Sequence, residues 1–165
     1  MDAAIWGLIG TLVGALASIA TTWISSRHSL HIQEQAKSLE RIEQGRAFQR
    51  QNFLELQDVM HDAMRMVTRA HLEDESWFKK NGEWGRTFLS EEVNEGLRLT
   101  GRKVSLLIER VADDALRSDL KAAAEASTKV LLATSQREAE AAYGNASALV
   151  QYAMEHIGRV LRSVY

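Results

Sequence analysis

Residues 53–70 read FLELQDVMHDAMRMVTRA and decide the fold, because they place apolar side chains at helical spacing. The intervals between successive apolar positions alternate between three and four residues, which puts all of them on one face of an α-helix. This stripe is shorter than three heptads, so packing inside a bundle is favoured over a long dimeric coiled coil. Its members are Phe53, Leu56, Met60, Ala63, Val67 and Ala70.

Three further amphipathic segments follow this stripe. The stripe should fray around residues 72–75, and the Asn-Gly pair at 81–82 marks a turn. Second, third and fourth helices are predicted to start near Ser90, Asp113 and Ser135, which are residue types that favour helix N-termini. Short connections between amphipathic helices are typical of up-and-down bundles. The sequence therefore predicts an all-α fold with an antiparallel bundle of about four helices at residues 47–165.

Composition supports a helical chain and excludes several function classes. The 165 residues include no proline and are rich in strong helix formers such as Ala, Leu and Glu. The absence of cysteine removes disulfides, thiolate metal sites and cysteine nucleophiles, and is compatible with a reducing cytoplasm. The net charge of −2 offers no electrostatic attraction for nucleic acid, so no nucleic-acid partner is expected.

The N-terminal segment predicts a membrane anchor. Residues 3–26 carry no charged side chain, and about 36 Å of helix at about 1.5 Å per residue would cross the hydrocarbon core of a bilayer. Trp6 and Trp23 stand near the two ends and Arg27 follows, so these three are the predicted membrane-interface residues. The sequence thus predicts a transmembrane helix over residues 1–26, with the lipid bilayer as a partner.

The charges that flank this segment predict its orientation. Only the α-amino group and Asp2 precede it, whereas several cations follow it. The positive-inside rule places the N-terminus outside the cell and the C-terminal domain in the cytoplasm, at the inner membrane of a bacterium. The cations are Arg27, Lys37, Arg41 and Arg46.

A cleaved signal peptide is the alternative to a permanent anchor. Ala15-Leu16-Ala17 resembles a cleavage site of the A-x-A type. However, the segment before it contains Asp2 and no Lys or Arg, and the apolar run continues past Ala17. The permanent anchor is therefore the favoured interpretation.

Residues 27–46 predict a polar helical stalk between the anchor and the bundle. Glu34, Lys37, Glu40 and Arg41 provide ion pairs at helical spacing, which support an exposed helix. Gly45 is a weak point in such a helix and a candidate hinge.

Small residues recur along one face of the predicted anchor. Gly10, Gly14 and Ser18 are spaced by four, with Gly7 beside them. Such spacing allows two helix backbones to approach closely in lipid, and it predicts self-association of the chain into a homo-oligomer. The alternative is that Gly and Ala are simply common in membrane helices.

The segment 77–88 concentrates aromatic side chains and lysines around a turn. Exposed tryptophan beside cations is a frequent composition of binding hot spots, so a protein partner is one interpretation. The other interpretation is that Trp77, Trp84 and Phe88 close the open end of the bundle. The candidate partner-binding residues are Trp77, Phe78, Lys79, Lys80, Trp84 and Phe88.

No catalytic or cofactor motif accompanies these features. Asp58, His61 and Asp62 share one helical face and make half of a carboxylate and histidine metal set, but no second half is visible. His28 and His31 alone would make a weak site. The sequence contains no phosphate-binding loop and no nucleophile elbow. We therefore expect no enzymatic activity, no cofactor and no metal.

Four segments of the chain carry a resemblance to known proteins. Trp6-Gly7-Leu8-Ile9-Gly10-Thr11-Leu12-Val13-Gly14-Ala15 opens the chain, and Ala47-Phe48-Gln49-Arg50 and Leu54-Glu55-Leu56-Gln57-Asp58 follow. With Ser25-Ser26-Arg27, these segments resemble small bacterial membrane proteins of unassigned function. The resemblance implies an inner-membrane location and brings neither an activity nor functional residues.

The sequence thus leads to one functional expectation and two alternatives. The first is a non-enzymatic, single-pass membrane protein whose helical bundle associates with itself or with a protein partner at the cytoplasmic face. The second is a membrane-perturbing effector, holin-like or defence-related, that acts by clustering of its transmembrane helix. The third is a ligand-sensing bundle or an unrecognised metalloprotein.

Overall fold

The computed structural model describes residues 2–85 and 88–163, and for several residues among the first 31 it describes the backbone alone. These residues form four α-helices and no strand, which confirms the predicted all-α class. The helices are α1 (Asp2–Asn81), α2 (Glu91–Ile108), α3 (Asp114–Leu131) and α4 (Gln136–Ser163).

The chain divides into two compact units after Gly45. In the first unit, every described side chain from Gly7 to Gly45 is exposed, and the backbone stays helical through Gly45. The second unit begins at Arg46 and contains the bundle. The assignment of residues 1–26 to an anchor and of 27–46 to a stalk stays a prediction.

Among the described residues, no helix combines the length and the apolar character that a membrane crossing requires. Within residues 7–26, the residues that are described beyond their backbone are glycines, serines and threonines, together with one aromatic residue, Trp23. The side chains of Trp6 and of the Leu, Ile and Val residues in this segment lie outside the described part. The predicted transmembrane helix therefore has no support from the described residues.

The second unit is an antiparallel four-helix bundle, as predicted. Its first helix is the end of α1, from Arg46 to Asn81, and short connections join it to the next three. Arg69 of α1 binds Glu92 at the start of α2, and Glu55 of α1 binds Lys103 further along α2, so these two helices run in opposite directions.

The predicted apolar stripe forms the α1 part of the core. Phe53, Leu56 and Met60 are almost fully buried, and Ala63 is partly buried among them. They pack against buried apolar residues of the other helices, so removal of apolar surface from water drives assembly of the bundle. The largest fully buried side chains outside α1 are Leu107, Leu116, Leu120, Ile157, Val93 and Val111.

The connection between α2 and α3 is fastened from both sides. The Gln49 side chain donates to the Arg110 carbonyl (2.9 Å) and accepts from the Ala112 N–H (3.1 Å). The Arg117 guanidinium donates to the Val111 carbonyl (2.6 Å). Because these bonds use polar groups that a turn leaves without helical partners, they hold this end of the bundle closed.

Helix α1 continues past the end of its apolar stripe at residues 72–75 and ends at Asn81, where the Asn-Gly pair predicted a turn. The acidic residues there have partners that compensate for the loss of apolar spacing. Glu73 accepts hydrogen bonds from the N–H and the hydroxyl of Ser90, and Glu75 pairs with Lys79. Ser90 therefore precedes α2 without capping it through its side chain.

Candidate interaction site at the loop end of the bundle

Two glycines shape the turn that follows α1. Gly82 and Gly85 have φ angles of 72° and 71°, a backbone region that only glycine adopts without strain. The Gly82 N–H donates to the Phe78 carbonyl (2.8 Å), which ends the helix in the manner of a glycine C-cap. A Cβ built on Gly85 would lie 3.5 Å from the Ala133 carbonyl oxygen, so this turn meets the α3–α4 connection.

Trp84 turns toward the bundle from this glycine turn. Its ring centroid lies 5.7 Å from that of His71 and 5.8 Å from that of Phe78, the second in an edge-on arrangement. His71 in turn stacks on Tyr143 of α4, whose hydroxyl lies 3.0 Å from the Thr68 hydroxyl. Trp84 and Phe78 thus belong to an aromatic cluster that joins the turn to α1 and α4.

Other members of the predicted partner-binding set lie at the surface. The Phe88 side chain is 99% exposed and Trp77 is 41% exposed. Lys80 is exposed, whereas Lys79 pairs with Glu75 at 2.7 Å and its hydrogen bond lowers the pKa of Glu75. The structure therefore divides the predicted set into an inward part around Trp84 and an outward part that includes Trp77 and Phe88.

The backbone next to Phe88 is fastened to α1. Two residues further along the chain, Ser90 gives Glu73 two hydrogen bonds of 2.9 and 2.7 Å. Arg86 and Thr87 lie outside the described residues. Phe88 therefore lies beside a backbone segment that is already held in place. Binding of a partner there would lose less conformational entropy than binding to a free loop.

One exposed apolar residue at this end of the bundle had no signal in the sequence. Leu132 follows α3 directly and is 71% exposed, at the same connection that Gly85 approaches. A single leucine directly after an amphipathic helix cannot be distinguished, by sequence alone, from a last member of that helix's buried face. Among the described residues, the large exposed apolar side chains at the loop end of the bundle include Trp77, Phe88 and Leu132.

The predicted self-association residues are exposed in α1. Gly7, Gly10, Gly14 and Ser18 all lie at the surface, and a Cβ added to any of the three glycines would meet nothing within 4 Å. These positions leave the helix backbone open to close approach by another helix.

Of the predicted membrane-interface residues, two contact each other. The Arg27 guanidinium lies 4.1 Å from the ring centroid of Trp23, a cation–π contact between residues one helical turn apart. Trp23 is 57% exposed. The Trp6 side chain lies outside the described residues.

The histidines do not assemble a metal centre within the described residues. No group of three or more His, Asp or Glu side chains there could hold a metal ion. His61 is exposed, and its neighbour Asp62 pairs with Arg65. His156 Nδ1 instead lies 2.7 Å from Asp119 Oδ2, a contact between α4 and α3 that local sequence could not indicate, since the residues are 37 positions apart.

One ion pair near this end connects α1 and α2. Arg69 donates two hydrogen bonds, of 2.6 and 3.0 Å, to the two carboxylate oxygens of Glu92. These bonds and the charge of Arg69 lower the pKa of Glu92, and the same bonds and the charge of Glu92 raise the pKa of Arg69. The carboxylate also lies in the first turn of α2, where the helix dipole favours negative charge.

No protein-family model matches this chain, and neither the curated proteins nor the solved structures include a significant match.

Proposed function

We propose that this chain is a membrane-anchored helical interaction protein. Residues 3–26 hold it in the inner membrane of a bacterium, and the bundle from Arg46 onward binds a protein partner at the cytoplasmic face. Trp77, Phe88 and Leu132, which are exposed at the loop end of the bundle, make the contact. Association through Gly7, Gly10, Gly14 and Ser18 brings several copies together and raises the apparent affinity for the partner.

The sequence supports the anchor. Residues 3–26 contain eight Leu, Ile or Val residues and no charged side chain. Arg27 follows them and contacts Trp23, and this pairing of an indole with a cation suits the boundary between lipid and water. The exposed glycines and serine in this segment are the residue types through which membrane helices pack.

The exposure of Phe88 carries the proposed contact. Phe88 is 99% exposed, so nearly all of its apolar surface is in contact with water. It lies beside a segment that is hydrogen-bonded to α1. Trp77 and Leu132 at the same end add to the apolar surface. Buried aromatic anchors at the centre of an interface supply much of the binding free energy, and Phe88 and Trp77 are suited to that role.

Site-specific photo-crosslinking in intact cells tests this contact. A photoreactive phenylalanine analogue replaces Phe88 in the full chain, and the matched control places it at Leu106, which is 53% exposed on α2. We expect a discrete adduct from position 88 and none from position 106. The adduct's partner, once purified, should bind the full chain in nanodiscs at least about tenfold more weakly after Trp77→Ala and Phe88→Ala together, a loss of about 1.4 kcal/mol. Equal adducts from both positions would contradict the proposal.

A further inference from the structure

A cavity of about 270 Å³ opens between α2 and α3 and reaches the core of the bundle. Met60, Met64 and Val67 of α1 form its floor. Helix α3 packs closely along α4, whereas it approaches α2 at few places, so the bundle is less closed between α2 and α3 than between α3 and α4. The residues of these two helices that line the cavity include small ones, such as Gly101 on α2 and Ala124 on α3.

The polar groups in this cavity have little hydrogen-bonding capacity left. Its four hydroxyl groups each donate to the backbone carbonyl four residues earlier in their own helix, at 2.7 to 3.0 Å. Only their oxygen lone pairs remain to accept a hydrogen bond. The hydroxyls belong to Thr100, Ser105, Ser127 and Thr128.

The charge of the lining restricts the ligand further. Among the described residues, no charged side chain lines the cavity. A charged molecule would lose its hydration there without gaining an ion pair, which costs several kcal/mol. An uncharged apolar molecule has no comparable hydration free energy to lose. It also gains contact with the flexible methionines of the floor, which can adapt to its shape.

The volume suits a small molecule. An apolar cavity of about 150 Å³ binds benzene, and common ligand pockets start at about 300 Å³. We propose that the cavity between α2 and α3 binds one uncharged apolar molecule of the size of two fused rings, in contact with Met60 and Met64. A single hydrogen-bond donor on that molecule could reach the lone pairs of the lining hydroxyls.

Gly101 offers a way to block this site without disturbing the fold. A Cβ added there would meet nothing within 4 Å, and leucine is a better helix former than glycine. Gly101→Leu should therefore keep the bundle folded and occupy the opening of the cavity. Gly144→Leu on α4 is the matched control, because its Cβ also meets nothing within 4 Å and it does not line the cavity.

Methyl NMR of the full chain in nanodiscs gives a readout confined to the cavity. Of the methionines, Met60 and Met64 line it, while Met66 and Met154 do not and serve as internal controls. The probe is 1-naphthol, which is uncharged at neutral pH, and its charged counterpart is 1-naphthoate. A naphthalene ring against the methyl groups would shift their resonances strongly through its ring current.

We expect 1-naphthol to shift the Met60 and Met64 methyl resonances with saturation, and to leave those of Met66 and Met154 in place. The affinity should fall at least about tenfold for 1-naphthoate and for Gly101→Leu, and should be unchanged for Gly144→Leu. Absence of saturable shifts, equal shifts at Met154, or unchanged binding by Gly101→Leu with native-like circular dichroism would each overturn the proposal.

Discussion

The imidazole ring of His71 stacks on the phenol ring of Tyr143, with centroids 5.1 Å apart and planes inclined by 12°. This contact joins the end of α1 to α4, and Trp84 packs against the other side of the cluster. The two tryptophans of the aromatic segment therefore have different physical roles. Trp84 is part of the packing, and Trp77 is at the surface.

Substitution of these tryptophans should separate stability from binding. Trp84→Ala removes two ring contacts and should lower the free energy of unfolding by about 1 to 2 kcal/mol. Trp77→Ala removes a largely exposed side chain and should change it by less than about 0.5 kcal/mol. Urea denaturation of the full chain, followed by circular dichroism, measures both. Equal losses would show that Trp77 also belongs to the packed cluster.

Two glycines inside helices should respond differently to alanine. Gly144→Ala meets nothing within 4 Å and should stabilise the bundle by about 1 kcal/mol, because alanine is the better helix former. A Cβ on Gly96 would lie 2.5 Å from the Met66 sulfur, so the Met66 side chain must move. This movement offsets part of the stability that the better helix propensity of alanine provides. The midpoint of thermal unfolding should therefore rise more for Gly144→Ala than for Gly96→Ala. The reverse order would contradict the close approach of α1 and α2 at this point.

The start of α4 should make stability depend on pH. The N–H and hydroxyl of Thr134 both donate to Glu138, at 2.9 Å each, and they lower the pKa of this carboxyl below its ordinary value of 4.5. A carboxyl with a lowered pKa contributes stability above its unfolded pKa, and this contribution is lost as the pH falls through the folded pKa. Its contribution should therefore be complete at pH 7 and should disappear well below pH 4.5.

Comparison of the wild type with Glu138→Gln isolates this effect, since glutamine can still accept both hydrogen bonds but carries no charge. The thermal midpoint of the variant should be lower at pH 7 and should match that of the wild type near pH 3. A difference that is the same at both pH values would show that the charge of Glu138 contributes nothing.

Association through α1 should depend on its glycine face. Leucine at Gly10 and Gly14 would keep two helix backbones apart, and a Cβ added at either position meets nothing within 4 Å. Energy transfer between labelled copies of the full chain in nanodiscs should show self-association weakened by about tenfold, or about 1.4 kcal/mol. Ala20→Leu, on a different face by helical spacing, should leave it unchanged. If all variants associate equally, the glycine face is not the contact.

The fold could be predicted largely from local patterns. The alternating spacing from Phe53 to Ala70 predicted the buried face of the first bundle helix. Asp113 was predicted to cap a helix because aspartate favours that position, and its side chain does accept a hydrogen bond from the Leu116 N–H. Such features depend on neighbouring residues alone. The partners of residues 72–75 were harder to predict, because they include Ser90, which lies beyond the turn.

The candidate site could be predicted only in part. The aromatic composition of residues 77–88 is visible in the sequence, but the side each ring faces depends on contacts made after folding. Trp84 turns inward because His71 and Tyr143 form a surface for it, and these two residues are 72 positions apart in the chain. The cavity between α2 and α3 likewise depends on how closely two helices approach each other, which no local pattern encodes.

The accessibility of single cysteines tests the membrane anchor most directly, and the natural chain has no cysteine to interfere. Asp2→Cys and Ser38→Cys variants of the full chain would be treated, in intact bacterial cells, with a maleimide that cannot cross the inner membrane. With residues 3–26 in that membrane and the N-terminus outside, Asp2→Cys should react in intact cells and Ser38→Cys only after the membrane is permeabilised. Protection of both until permeabilisation, together with recovery of the chain from the soluble fraction, would contradict the anchor.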